Sequence, residues 1–368
     1  MRIKELETLE EFDQALADGL SSLRGWHVQS LDLTSRVTRL TRIEVAGAVF
    51  LGCRFAPGSE DDLRRRGALV FPVVPEVPFD PYRARLYSPE ELYAGLADGY
   101  QRTPDARCYA WSLGPRELDR TLAAALHDHA IDDALEEFVE EHSVEGRELV
   151  GVLGGHALAR DDPGYRDAAE LGRELAGSFT VATGGGPGAM EAANLGAWMA
   201  AHDESDLAEA IGVLARAPQF GDGVTAWARA AFDVRSRWSG GGESLGIPTW
   251  FYGHEPPNAL ASKIAKYFSN ATREDVLLKA CRRGLVFLPG AAGTVQEIFQ
   301  AACANYYAQP PAVIPMVLVG VEHWTREVGV WDLLAGLGAD RAFGARLDLV
   351  DSTAEVLPLL TQHSGDLR

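Results

Sequence analysis

Cysteine is scarce in this chain of 368 residues: Cys53, Cys108, Cys281 and Cys303 are the only four. None stands in a CxxC pair, and no closely spaced Cys/His set has zinc-ligand spacing. No metal site is expected, and the expected setting is a reducing cytosol with the thiols free and buried. Lysine is as scarce, with only Lys4, Lys263, Lys266 and Lys279. None sits in a convincing site for a cofactor-binding lysine, which argues against lysine-decarboxylase chemistry. Positive charge is short as a whole: 34 Lys and Arg face 53 Asp and Glu, for a formal net charge of −19. Such a chain repels phosphate backbones at long range, which argues against nucleic acid as a partner. It leaves room for a small phosphorylated ligand in a locally positive site. No apolar run approaches membrane-spanning length, and the charged start MRIKELETLEEF lacks the apolar core of a secretory signal. His127 and His129 are two apart, so on a helix they point to different sides and read as solvated rather than as a ligand pair.

What the chain does have is length for two domains and 46% hydrophobic residues for a core. Residues 1–112 read as an accessory domain of mixed α and β character with no catalytic constellation. Leu40, Val45, Phe50 and Phe55 recur every five residues and hint at a coil-like β stack. FPVVPEVPFDPY, at 71–82, reads as extended or loop, because proline cannot donate to a central ladder. Residues 113–147 read as a connecting acidic helix, with Leu118, Leu122, Leu126, Ile131, Leu135 and Phe138 at helical spacing. From 148 to 368 the texture alternates. LVGVLGG, SFTVAT, EAIGVLA, PTWFYG, GLVFLPG, IPMVLVG and LDLV read as strands between amphipathic helices, and 215–246 reads as loop-rich. That alternation predicts an α/β fold: a Rossmann-like parallel sheet with helices on both faces, beside a smaller N-terminal α+β domain.

Ligands of such sheets bind at the carboxyl ends of the strands. Three glycine turns fall there: GVLGGHA at 151–157, TGGGPGAME at 183–191 and PGAAGTVQE at 289–297. Glycine permits positive φ and close approach of a ligand, and a helix N-terminus behind it offers unpaired N–H groups to an anion. None is a P-loop, since no GK[ST] follows, and GGGPGA lacks GxGxxG spacing. In the last turn, Thr294 and Glu297 have capping-box spacing, with a helix expected from Thr294. The same spacing occurs at Thr8/Glu11, Ser88/Glu91 and Ser352/Glu355, so it does not by itself mark a site.

Over roughly 148–355 these motifs resemble the LOG (LONELY GUY) phosphoribohydrolases and, more closely, the pyrimidine/purine nucleotide 5'-monophosphate nucleosidases. The resemblance is carried by Gly154-Gly155-His156, TGGGPGAMEAANLGA with its GPGAME at 186–191, the EPPN at 255–258 and PGAAGTVQE. It implies hydrolysis of the N-glycosidic bond of a nucleoside 5'-monophosphate to free base and ribose 5-phosphate, without a cofactor, in a homodimer or higher homo-oligomer. It assigns Gly290, Gly293 and Thr294 to the phosphate, and catalysis to Glu297 and Arg273. Gly154, Gly155, His156, Gly184, Gly185, Gly186, Gly188, Met190, Glu191 and Asn258 complete the expected substrate-binding set. The chain departs from the family where Ala291 stands in place of a glycine, so the turn must accept a Cβ. The chemistry is consistent: glycosidic cleavage builds positive charge on the sugar, and a carboxylate stabilises it and takes a proton from water. Competing readings stand beside each residue. Arg273 meets a phosphate or forms a surface salt bridge near Glu274 and Asp275. Glu191 complements a helix dipole or contacts ribose, and His156 is structural or touches ligand. Asn258 is a site residue or caps a helix beginning there. A nucleotide sensor without catalysis is the alternative for the whole chain.

Overall fold

The computed structural model describes residues 4–115, 117–251 and 255–365. The chain divides into two compact units, one of residues 1–85 and 113–134, the other of 86–112 and 135–368. The boundary is therefore not a single cut at 112: residues 86–112 belong with the larger unit.

In the smaller unit, strands β1 (Lys4–Leu6), β2 (Trp26–Gln29), β3 (Val49–Leu51) and β4 (Leu69–Phe71) form one parallel sheet in chain order. Helices α1 (Leu9–Ala17), α2 (Val37–Arg42) and α3 (Ser59–Arg65) connect them. Lys4 pairs with Trp26, His27 with Val49 and Val49 with Leu69, so each coil takes 22, 22 and 20 residues. This replaces the five-residue spacing suggested by the sequence. Leu23, Trp26, Val28, Leu31 and Leu33 return 22 residues later as Val45, Ala48, Phe50, Cys53 and Phe55. That is the LxxLxLxx(N/C)xL spacing of leucine-rich solenoids. Leu6, Val28, Phe50 and Val70 stack in the core, and the buried Cys53 thiol donates to the Val28 carbonyl of the preceding coil, 3.2 Å away.

Helix α4 (Pro89–Leu92) and helix α5 (Pro104–Ser112) belong to the larger unit, and α6 (Leu118–Val144) runs through the division. In the smaller unit His127 is buried against Phe79, ring centroids 5.1 Å apart, not solvated, and burial lowers its pKa. Cys53, Cys108 and Cys281 are buried thiols, but Cys303 is exposed.

The larger unit is a doubly wound sheet of seven strands. They are β5 (Leu149–Leu153), β6 (Thr180–Thr183), β7 (Ser244–Gly246), β8 (Lys263–Ile264), β9 (Leu285–Phe287), β10 (Met316–Val319) and β11 (Leu347–Val350). The order is β11-β10-β9-β5-β6-β7-β8, with every pairing parallel. The chain winds outward from β5 to β8, then crosses back to β9 on the other side of β5. The topological switch point lies between β5 and β9. Helices α7 (Pro163–Ala176), α8 (Ala189–Trp198), α9 (Glu204–Leu214), α10 (Val224–Arg237), α11 (Asn270–Ala280), α12 (Ala292–Tyr307), α13 (Trp331–Gly338) and α14 (Val356–Gly365) connect or follow the strands. The crossovers run in opposite directions from the centre, and right-handed connections of that kind place helices on both faces of a sheet.

Two expected strands are not strands. EAIGVLA is the second half of α9, capped by Asp203 and burying Leu207, Ala210, Ile211 and Leu214 at helical spacing. In PTWFYG the chain is irregular, touching Tyr267 through a single bridge at Thr249. Tyr252 and Gly253 lie outside the described residues. Within 215–246, residues 224–237 form helix α10, and the flanking residues are largely irregular up to β7.

Candidate active site

Leu288 and Pro289 follow strand β9, and α12 starts at Ala292, two residues before the expected Thr294. Thr294 therefore lies inside the first turn, and Ala291 is the cap residue, without a side-chain cap. The capping-box reading of Thr294 and Glu297 does not hold here, although it holds elsewhere. Thr8/Glu11 and Ser352/Glu355 form full boxes, and Ser88 accepts from the Glu91 N–H. Ala291 sits at φ −104°, so its Cβ costs no left-handed strain. Gly290 is required for space, because a Cβ there would lie 2.2 Å from Thr294 Oγ1. Gly293 is not: a Cβ on it meets nothing within 4 Å. The turn from Pro289 to Gly293 is open to solvent, whereas Thr294 and Glu297 are buried. An uncapped helix N-terminus thus faces outward at the switch point, where a phosphate would complete it.

Glu297 points inward from α12 and meets Arg273 from α11. Arg273 Nη1 donates to Glu297 Oε1 at 3.0 Å, and Nε donates to the Ile247 carbonyl at 2.8 Å. Both residues are buried, so the surface-salt-bridge reading of Arg273 is corrected. Glu274 instead accepts from Asn270 and Gln296, and Asp275 pairs with Lys279. The third arginine nitrogen, Nη2, has no acceptor among the described residues and faces Gly184, where a Cβ would sit 2.4 Å from it. Burial pushes the Glu297 carboxyl above the usual carboxylate range, the neighbouring Arg273 opposes that rise, and Glu274 adds to it.

The three glycine turns pack into one another. Gly155 N–H donates to the Pro289 carbonyl at 3.0 Å, and Ala189 N–H donates to the Gly155 carbonyl at 3.1 Å. A Cβ on Gly188 (φ +72°) would lie 2.4 Å from that same carbonyl. One on Gly154 would meet Ala189 at 2.9 Å, and one on Gly185 (φ +70°) would meet Pro248 at 2.6 Å. At these three positions the space a Cβ would take is filled by neighbouring protein, so packing alone requires glycine there. At Gly184 and Gly186 the near atoms are the flexible ends of Arg273 and Met190.

Glu191 does more than complement a helix dipole: it borders the cavity at His156 and is held by a buried arginine. Arg160 grips it bidentately, at 2.9 and 2.6 Å, with both side chains about 1% exposed. Arg160 also stacks 4.5 Å from the Trp227 ring and donates to the Ala217 and Trp227 carbonyls. Asn258 is buried and begins no helix. Its Nδ2 donates to the Gly186 carbonyl and Asn194 Oδ1, and its Oδ1 accepts from the N–H groups of Leu260 and Ala261. It pins the GGGPG turn. His156 is half-exposed, with Nδ1 3.6 Å from Glu255 Oε1, at the mouth of a cavity of about 260 Å³. Leu158, Pro187, Phe220 and Trp227 line that cavity.

Two side chains of this region carry no sequence signal. They are Arg160 and His323, whose Nε2 lies against the Gly290 backbone. Each is a lone polar residue whose partner is distant in the chain. Asn194, inside TGGGPGAMEAANLGA, was not singled out; its Oδ1 accepts from Thr183 and Asn258.

No family model matches the chain, and no curated protein matches it. Among solved structures the chain is similar to the molybdenum cofactor binding protein from the phototrophic bacterium Rippkaea orientalis. The identity is 16%, the coverage is 59% of this chain and 96% of that one, and the TM-score is 0.37. A likeness that slight carries no argument about function. Among the described residues no helix is long and apolar enough to cross a membrane.

Proposed function

We propose that this chain hydrolyses the N-glycosidic bond of nucleoside 5'-monophosphates, releasing the free base and ribose 5-phosphate. The observation that carries the reading is the buried Arg273–Glu297 pair beside the open, uncapped N-terminus of α12, at the switch point of a parallel sheet. The phosphate occupies the turn at 290–294, taking the first N–H groups of α12 and the free Nη2 of Arg273. An arginine drawn toward that dianion releases part of its hold on Glu297. The bond between C1' and the base nitrogen breaks, and its electron pair leaves with the base, which takes up a proton. Glu297 stabilises the cationic sugar, removes a proton from the attacking water as oxygen bonds to C1', and returns it to solvent.

The same pair favours a second reading. A carboxylate held by an arginine is a weaker base, and if Arg273 stays on Glu297 the site senses nucleotide without turning it over. The deciding experiment supplies a panel of nucleoside monophosphates and the matching nucleosides, and assays free base and ribose 5-phosphate. Cleavage of monophosphates with little cleavage of nucleosides is expected. Equal rates on both would sink the phosphate assignment, and binding without products would establish the sensor.

A further inference from the structure

We infer that His323 is a positioning residue of the anion-binding turn. It holds the Gly290 peptide in the orientation that presents the N-terminus of α12 to phosphate. This rests on the reading of that turn as the phosphate site. His323 opens the π-helical turn His323–Glu327 that follows β10, the strand beside β9. Such turns are rare and concentrate at functional sites. Its Nε2 lies 3.0 Å from the Gly290 carbonyl oxygen and 3.3 Å from the Gly290 nitrogen. Its Nδ1 lies 2.7 Å from Glu327 Oε2, one turn along.

The ring is fixed on its other sides as well. It stands edge-on to Trp324 at 4.6 Å, and Trp324 in turn donates its indole N–H to the Val319 carbonyl at the end of β10. Across the turn, Thr294 fills the space that a Cβ on Gly290 would need. The Gly290 peptide is therefore clamped between an imidazole and a hydroxyl.

Apart from the Gly155 N–H on the Pro289 carbonyl, this part of the turn is solvent-facing, and no side chain caps the helix behind it. A ligand that must order its own binding loop loses affinity to that ordering. A histidine that has already fixed the peptide removes this loss without touching the bond that breaks. The effect belongs in nucleotide binding, not in the chemical step.

The test is steady-state kinetics of the full chain on a nucleoside monophosphate, with inorganic phosphate as competitor and a thermal melt of each variant. His323→Ala should raise KM and the phosphate inhibition constant together, by about tenfold, with kcat within about twofold of wild type. His323→Gln, whose amide can both donate to and accept from Gly290, should recover most of the loss. If the alanine variant does not fold, Glu327→Ala carries the test. By freeing the ring to turn, it should move both constants the same way, by about threefold. A fall in kcat with both constants unchanged would overturn the assignment, as would no change at all. Wild-type protein that turns nucleotide over without inhibition by phosphate would remove the phosphate reading and this inference with it. A flat His323 series on a phosphate-inhibited enzyme removes this inference alone.

Discussion

At the scale of the residue, four Ser/Thr-x-x-Glu pairs make one comparison. Three glutamates or their cap residues satisfy helix ends, and the fourth glutamate is turned inward onto a buried arginine. Glu297→Gln keeps an acceptor for Arg273 but leaves a buried guanidinium without its counter-charge. Stability should change by less than about 3 kcal/mol, while turnover falls about 10²-fold or more. Near-normal turnover in that variant, measured beside a melt, would end the proposed mechanism. The raised pKa of Glu297 adds a second expectation. With nucleotide saturating, kcat should fall as pH drops through a value above the ordinary glutamate pKa of about 4.3. An acid limb at or below that ordinary value would show that a different group is the base. The stability linkage has the opposite direction. The folded chain holds this proton more tightly than the unfolded chain, so the group favours folding fully below the unfolded pKa. That contribution is lost as pH rises through the folded pKa. Glu297 and Arg273 were legible because each stands in a recognisable stretch. Arg160 and His323 were not: their partners lie 31 and 33 residues away, and no local pattern encodes such a meeting.

At the scale of the element, the glycine turns separate two functions that the sequence could not. Gly188→Ala forces a Cβ into the Gly155 carbonyl at a left-handed backbone, so it should unfold the turn and cost several kcal/mol, about 3 or more. Gly293→Ala sits in a helix with open space around it, so it should hold or gain about 1 kcal/mol of stability. Any loss of nucleotide affinity in Gly293→Ala would then report the ligand's own approach. Comparing the two melts and their KM values checks both statements. Most of the parallel sheet was readable, because β5, β6, β9 and β10 are short apolar runs ended by glycine turns or a proline. EAIGVLA was not, since a short apolar run fits a buried strand and a buried helix alike. The solenoid escaped because its strands are three or four residues long, and Trp26 and Ala48 stand where leucines would announce the repeat.

At the scale of the molecule, the division of the chain decides which fragment can stand alone. A fragment starting near Glu117 would discard Asp105, which accepts from Lys266 at 2.7 Å, from the Trp250 indole at 2.8 Å and from Tyr100. Lys266 is buried, and burial already lowers its pKa. Without its partner it should cost about 3–5 kcal/mol. The fragment 86–368 keeps that cluster, together with the bond from the Tyr93 hydroxyl to the Pro257 carbonyl. It should melt cooperatively and retain nucleotide turnover, while 117–368 should not fold. A folded, active 117–368 would show that residues 86–112 are dispensable.

The same cluster sets a clock on biosynthesis. Asp105 leaves the ribosome 161 residues ahead of Lys266, which at about 5–20 residues per second is a wait of roughly 8–32 s. During that interval the segment at 86–112 has no sheet edge to join, so the nascent chain carries it unplaced while later residues are still being made.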